Sequence, residues 1–219
     1  MPFRFRPLIG AALAVLIAAS GAAAALLVFS GWPRREAAPP KSISIGGPFI
    51  LVASDGKTVT DQSYRGKWLL VYFGCTRCSD TSSALAAMSE ALRQLGVAAN
   101  QIQPLFITID PKRDSPEALA RYMTSFDRRI VGLTGTAEQI ATAAREYRVY
   151  YAPEDTLGGL SVVPHSSFVY LVNPEGELAE FFTGKTSGIL IADELLRITA
   201  QGPFGREPPG HAFFTPPQL

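Results

Sequence analysis

The stretch Leu69-Leu70-Val71-Tyr72-Phe73-Gly74-Cys75-Thr76-Arg77-Cys78-Ser79-Asp80-Thr81-Ser82-Ser83 decides how the rest of the chain is read. Leu69 to Phe73 is an unbroken apolar run with one β-branched and two aromatic residues, the pattern of a buried strand. Gly74 ends it. From about Asp80 the spacing changes. Leu85, Met88, Leu92 and Leu95 recur three or four residues apart and form one stripe of a helix. The only two cysteines of the chain, Cys75 and Cys78, fall between strand and helix. A helix start presents unpaired N–H groups and the positive end of a dipole, so a thiol placed there ionises more readily. Arg77 adds to that field. Two small buried cysteines are the plainer alternative. The C-x-x-C spacing on a strand-to-helix turn favours chemistry over packing.

The chain has 219 residues, enough for one domain of ordinary size plus an anchor or tail. Its net charge is +1 and only 18% of residues are charged, with Lys and Arg scattered, so no basic footprint argues for nucleic acid. Between Arg6 and Arg34 there is no ionisable side chain. Leu8 to Phe29 is long enough to cross a hydrocarbon core of ~30 Å at about 1.5 Å per residue. Trp32 suits the interface. A signal peptide cleaved near Ala22-Ala23-Ala24 competes with this reading. The apolar run continues through Leu26, Leu27, Val28 and Phe29, which favours a retained anchor. Arg4 and Arg6 on one side, and Arg34, Arg35 and Lys41 on the other, leave the orientation open. The expected layout is an anchor over residues 1–32, a Pro-, Gly- and Ala-rich linker over 33–48, one domain over 49–202 and a Pro-rich tail over 203–219. The expected location is a single-pass inner-membrane protein with its domain in the periplasm or an equivalent space. Thiols there meet an oxidising environment.

Along the domain, Phe49 to Ala53 and Lys57 to Thr60, joined by Ser54-Asp55-Gly56, read as a β-hairpin. The central strand and first helix follow, then a loop at Gly96 to Asn100. Leu105 to Ile109 is a second buried strand, ending at Asp110-Pro111. Ser115-Pro116-Glu117 combines a cap, a proline at the first position and an acid in the first turn, and starts a helix to about Phe126. Arg129 to Leu133 is a short strand. Thr136 with Gln139 forms a capping box for a helix through Tyr147. Residues 151–163 form a loop with the pair Gly158-Gly159. Phe168 to Val172 and Glu177 to Phe182 are strands joined by Asn173-Pro174-Glu175-Gly176. The last helix runs from about Ser187 to Gln201, stopped by Gly202-Pro203. This order gives an α/β domain with a mixed central sheet, the thioredoxin arrangement.

Several separate blocks also resemble the Sco/SenC family, in the family's order. They are Val71 to Asp80, Phe106-Ile107-Thr108-Ile109-Asp110-Pro111-Lys112-Arg113-Asp114, the segment from Phe126 through Val131-Gly132-Leu133-Thr134-Gly135, and His165-Ser166-Ser167-Phe168-Val169-Tyr170-Leu171 followed by Pro174-Glu175-Gly176. The similarity covers about residues 46–200. It implies a membrane-tethered, thioredoxin-like metallochaperone that binds copper and helps to build the copper centre of cytochrome c oxidase. The implied partner is an oxidase subunit or another copper or thiol client. Thiol-disulfide chemistry is a second implied role. The family's metal motif is Cys-x-x-x-Cys with a distant His. Its first cysteine falls on Cys78 and its histidine on His165; its second cysteine position is Ser82. Cys75 stands where the family has an aromatic, and Pro164 where it has an acid.

Copper(I) is soft and prefers thiolate and imidazole, which Cys78 and His165 supply. A serine hydroxyl is hard and weak, so Ser82 does not replace the missing thiolate. Cys75, three residues before Cys78, is the candidate third ligand. Cys78 is expected at the start of the first helix, and His165 on the loop entering the next-to-last strand, close enough to share a site. On the residues alone, His165 is better read as a partly buried histidine bonded to backbone; the resemblance turns the reading toward a site residue. A thiol-disulfide oxidoreductase using Cys78 as nucleophile and Cys75 as resolving thiol is the second reading. An interaction module without metal is the third. Asp110, Arg113 and Asp114 form either a polar cluster beside the site or a solvated loop with a surface ion pair of about 0–1 kcal/mol. Asp80 is read as a first-turn acid on the helix dipole, and His211 as a solvated residue of the tail.

Overall fold

A computed structural model describes residues 45–152 and 164–200. The strands are β1 (Ile50–Ala53), β2 (Thr58–Thr60), β3 (Trp68–Gly74), β4 (Ile102–Thr108), β5 (Val131–Thr134), β6 (Phe168–Val172) and β7 (Leu178–Thr183). The helices are α1 (Thr81–Leu95), α2 (Pro116–Met123), α3 (Ala137–Glu146) and α4 (Gly188–Ala200). They build one sheet in the order β2-β1-β5-β4-β3-β6-β7. β3, β4 and β5 run parallel, linked by α1 and α2 as crossovers. β6 returns antiparallel on the other edge of β3, and β7 and the β1-β2 hairpin extend the sheet antiparallel. The α/β class and the mixed sheet are as the sequence implies.

Every residue of β3 is buried, because the strand has a neighbour on each edge and apolar layers on both faces. Its side chains alternate between two clusters. Trp68, Leu70 and Tyr72 join Leu85, Met88 and Leu92 of α1, Leu119 of α2 and Ile191 and Leu195 of α4. Leu69, Val71 and Phe73 join Leu51 of β1 and Ile140, Ala143 and Ala144 of α3. Cys75 and Cys78 belong to this second cluster. α4 closes on α1 at Gly188, where a Cβ would stand 2.5 Å from the Ala87 carbonyl oxygen.

The predicted caps are present. Ser115 Oγ accepts from the Ala118 N–H with Pro116 next to it. Thr136 and Gln139 exchange both bonds of a capping box. Boundaries differ by one to three residues: β4 starts at Ile102, β5 lies at Val131–Thr134, and α2 ends at Met123. The expected loop after α1 is a 3-10 turn, Gly96–Gln101, and a second 3-10 turn, Asp61–Tyr64, follows β2. Among the described residues no helix is long and apolar enough to cross a membrane. The expected anchor at residues 8–29 with Trp32, most of the linker, Gly158-Gly159 and the tail with His211 lie outside the described residues.

Candidate functional site

β3 ends at Gly74, and the chain must turn at once to start α1. A Cβ on Gly74 would lie 2.4 Å from Thr81 Oγ1 and 2.7 Å from Tyr72 Cε1, so only glycine fits. The turn is fixed from within. Cys78 N donates to the Cys75 carbonyl at 3.0 Å, Thr81 N to the Cys78 carbonyl at 3.3 Å, and Cys75 N to Thr81 Oγ1 at 3.2 Å. Ile109 N donates to the Gly74 carbonyl at 2.8 Å and ties this end of β3 to the end of β4.

Within that turn Cys75 and Cys78 form a disulfide, with Cα atoms 5.0 Å apart. Both are buried, at 1% and 4% exposure. The helix begins at Thr81, so Cys78 lies in the turn before it and Asp80 takes the N-cap position. The expected thiolate at the helix start is therefore absent in this state: a disulfide sulfur does not ionise, attack or ligate as a thiolate. Arg77 points to solvent. Ser82 is exposed on the first turn of α1.

His165 sits just before β6, on the segment entering the next-to-last strand. An antiparallel bridge to Tyr151 holds it, flanked by Ser166 N to the Tyr150 carbonyl at 2.9 Å and Ala152 N to the Pro164 carbonyl at 3.0 Å. Its side chain is 4% exposed, and Nε2 lies 3.5 Å from Asp80 Oδ2. Its ring meets Tyr72 edge-on with centroids 6.5 Å apart. The Tyr72 hydroxyl is 3.2 Å from Ser167 Oγ, and burial pushes its pKa up to about 12. His165 thus meets Tyr72, a residue of the cluster that holds α1 and α4, whereas Cys75 and Cys78 belong to the cluster that holds α3, so the three expected ligands are not gathered into one group. Among the described residues no group of three or more His, Cys, Asp or Glu is arranged to hold a metal ion.

Asp110 and Asp114 form a polar cluster, not a solvated loop. Asp110 is 5% exposed and receives Arg113 Nη1 at 2.8 Å. Asp114 is fully buried, and its carboxylate accepts from the Thr76 N–H, the Thr76 hydroxyl and the Thr108 hydroxyl. Sequence reasoning missed Thr81 and Thr108 as parts of the site, and the pairing of Asp80 with His165. These contacts join residues through the fold, and no local spacing announces them.

Comparison with known proteins agrees with this architecture. The SCO1/SenC family model matches residues 37–200. The mitochondrial SCO1 homolog of Homo sapiens is 41% identical over 147 residues, covering 63% of this chain and 47% of that protein. This chain spans about half the length of the human relative and of its Mus musculus counterpart. Among solved structures, copper-bound ScoI of Bradyrhizobium japonicum is 37% identical with a TM-score of 0.65, covering 70% of this chain and 99% of the other. Copper-bound ScoI of Arabidopsis thaliana is 34% identical with a TM-score of 0.66, covering 72% and 99%. With three quarters of its length matched by the family model and its fold superposing on these structures, the chain belongs to the SCO1/SenC family.

Proposed function

We propose that this domain binds copper and delivers it during assembly of the cytochrome c oxidase copper centre, held at the outer side of a membrane by the apolar segment at residues 8–29. The observation that carries the reading is the pairing of His165 with Asp80, which follows Cys78 by two residues in the chain. Family membership and two copper-bound relatives support it.

The residues fit copper(I) in one redox state only. In the disulfide neither sulfur is a thiolate. Reduction by a dithiol supplies two electrons and two protons, breaks the Cys75–Cys78 bond and leaves two thiols. Cys78, Cys75 and His165 then offer two soft sulfur donors and one imidazole, and the thiols lose their protons when metal binds. Ser82 stays a spectator, because its hydroxyl is hard and faces solvent. Cys78 must also leave its apolar cluster to turn toward His165.

The disulfide itself favours a second reading, thiol-disulfide exchange with a client. Its burial opposes that reading, because an attacking thiolate must reach a sulfur. One experiment separates the two. The chain is reduced, freed of reductant and titrated with copper(I) against a chromophoric chelator, and the reduced chain is also mixed with a model disulfide. Tight copper binding with slow disulfide exchange supports the copper reading. Weak copper binding with fast, cysteine-dependent exchange overturns it. A chain that does neither is an interaction module.

A further inference from the structure

Asp114 is an ionisable residue with no exposure, placed where an apolar side chain would close the core more simply. Burying a carboxylate is strongly unfavourable unless its oxygens are satisfied. Here three donors meet it. The Thr76 N–H lies 3.0 Å from Oδ2, the Thr76 hydroxyl 2.6 Å from Oδ1, and the Thr108 hydroxyl 2.6 Å from Oδ2. Two of the three come from Thr76, which is 38 residues distant in sequence and stands between the two cysteines. The carboxylate is itself anchored. Asp114 N donates to the Asp110 carbonyl at 3.0 Å, and Asp110 N donates to Thr108 Oγ1 at 3.0 Å. Among the described residues, the other hydrogen bonds seen for Cys75 and Cys78 run within the turn or to the first residue of α1. Asp114 is the tie from its middle to the end of the neighbouring strand.

We propose that Asp114 is a positioning residue for the cysteine pair. By clamping Thr76 to the end of β4, it keeps the two sulfurs apposed after reduction as well as before, and so makes the disulfide harder to reduce. A dithiol loop that is already pinned gives up little conformational freedom when it closes, whereas a free loop gives up more. The step at issue is balanced. Dithiothreitol gives two electrons and two protons, the Cys75–Cys78 bond breaks, two thiols form, and the reductant closes to its cyclic disulfide. The proposal holds for the thiol pair with or without copper.

The test equilibrates the full chain, in mild detergent, with graded ratios of reduced and oxidised dithiothreitol, and counts free thiols by alkylation. Thr76→Val removes one donor and keeps the shape of the side chain. It is expected to shift the equilibrium threefold to tenfold toward the dithiol. Asp114→Ala is expected to shift it tenfold or more, a rise of about 30 mV in reduction potential per tenfold. Asp114→Asn, which keeps one acceptor oxygen, should fall between them. Ser115→Ala is the control: it removes the α2 cap next door and lowers the thermal midpoint, and its potential should stay at the wild-type value. If Asp114→Ala does not fold, Thr76→Val decides alone. A wild-type potential in Thr76→Val and Asp114→Asn, with only the thermal midpoint lowered, makes Asp114 a structural residue and overturns the proposal. So does a shift in Ser115→Ala as large as theirs.

Discussion

Nε2 of His165 lies 3.5 Å from Oδ2 of Asp80, two residues beyond Cys78. Asp80 holds the N-cap position of α1 but makes no side-chain capping bond. An N-cap carboxylate normally accepts from the first turn and contributes about 1 kcal/mol. This one is turned toward the imidazole instead.

That orientation gives the first prediction. A carboxylate beside a ligating histidine typically matters ten- to a hundredfold for metal affinity. In the reduced chain, His165→Ala should weaken copper(I) binding most, and Asp80→Asn should weaken it by about tenfold. Competition against a chromophoric copper(I) chelator measures both. Unchanged affinity in Asp80→Asn would remove Asp80 from the site.

Gly74 carries the second. An added Cβ would press on Thr81 Oγ1 and Tyr72 Cε1, both in buried residues. Gly74→Ala should therefore cost about 1–3 kcal/mol, the usual range for overpacking. Chemical denaturation of the oxidised chain reads it. Because Thr81 Oγ1 also receives Cys75 N, the variant should in addition loosen the cysteine turn, visible as faster reduction by a small thiol. A loss below about 0.5 kcal/mol, the ordinary range for surface changes, would show that the turn adapts.

The fold was legible wherever one short stretch carried its own signal. The apolar run of β3, the stripe of α1, the Ser115-Pro116 start and the Thr136/Gln139 box all depend on residues within a few positions of one another. The place of β1 beside β5 depends on no such local cue. For the site, spacing singled out Cys75 and Cys78, but their burial follows from something else. The alternation Leu69, Val71, Phe73 runs on into Cys75 and turns it toward the α3 cluster, which a reading centred on the helix start does not register. Asp114 shows the same limit. In the sequence it is one acid near a strand end; its role lies in bonds to Thr76, made only when β3 and β4 are side by side.

The third prediction concerns alkaline pH. Burial raises the Tyr170 hydroxyl to about 12 in the folded chain, against an ordinary value near 10 in an unfolded one. Below about pH 10 both states keep the proton and the stabilisation is fully present. As pH rises from about 10 to 12 the unfolded chain loses its proton first, so stability falls, and the loss levels off above about 12. Tyr72 is raised to about 12 by burial as well, and Tyr147 is pushed upward in the same way, so the fall should be steep. Tyr170→Phe removes one of these groups and keeps the ring contacts with Phe73 and Tyr147. The unfolding free energy from guanidinium titrations should drop less between pH 9 and pH 11 in this variant, by on the order of 1 kcal/mol. Equal drops in both proteins would mean that Tyr170 ionises in the folded state as it does in the unfolded one.

The last prediction asks what Cys75 does in a chain whose family position for the second thiol is Ser82. Cys75→Ser removes the disulfide and leaves Cys78 and His165 as the two soft donors. Copper(I) affinity should fall by at least tenfold, since a serine hydroxyl is a hard ligand. Ser82→Cys in that background restores a thiol on the first turn of α1, four residues after Cys78, where the side chain is exposed and free to turn. Copper(I) binding should return, and it should then need no reduction of a Cys75–Cys78 bond. Each variant is titrated after the same reductant treatment, so that redox state and ligand set vary separately. If Cys75→Ser binds as tightly as the parent chain, Cys75 is no ligand and its disulfide serves only to block Cys78. If Ser82→Cys fails to rescue, position 82 on the first turn of α1 does not reach the copper held by Cys78 and His165, and the site is built around the turn alone.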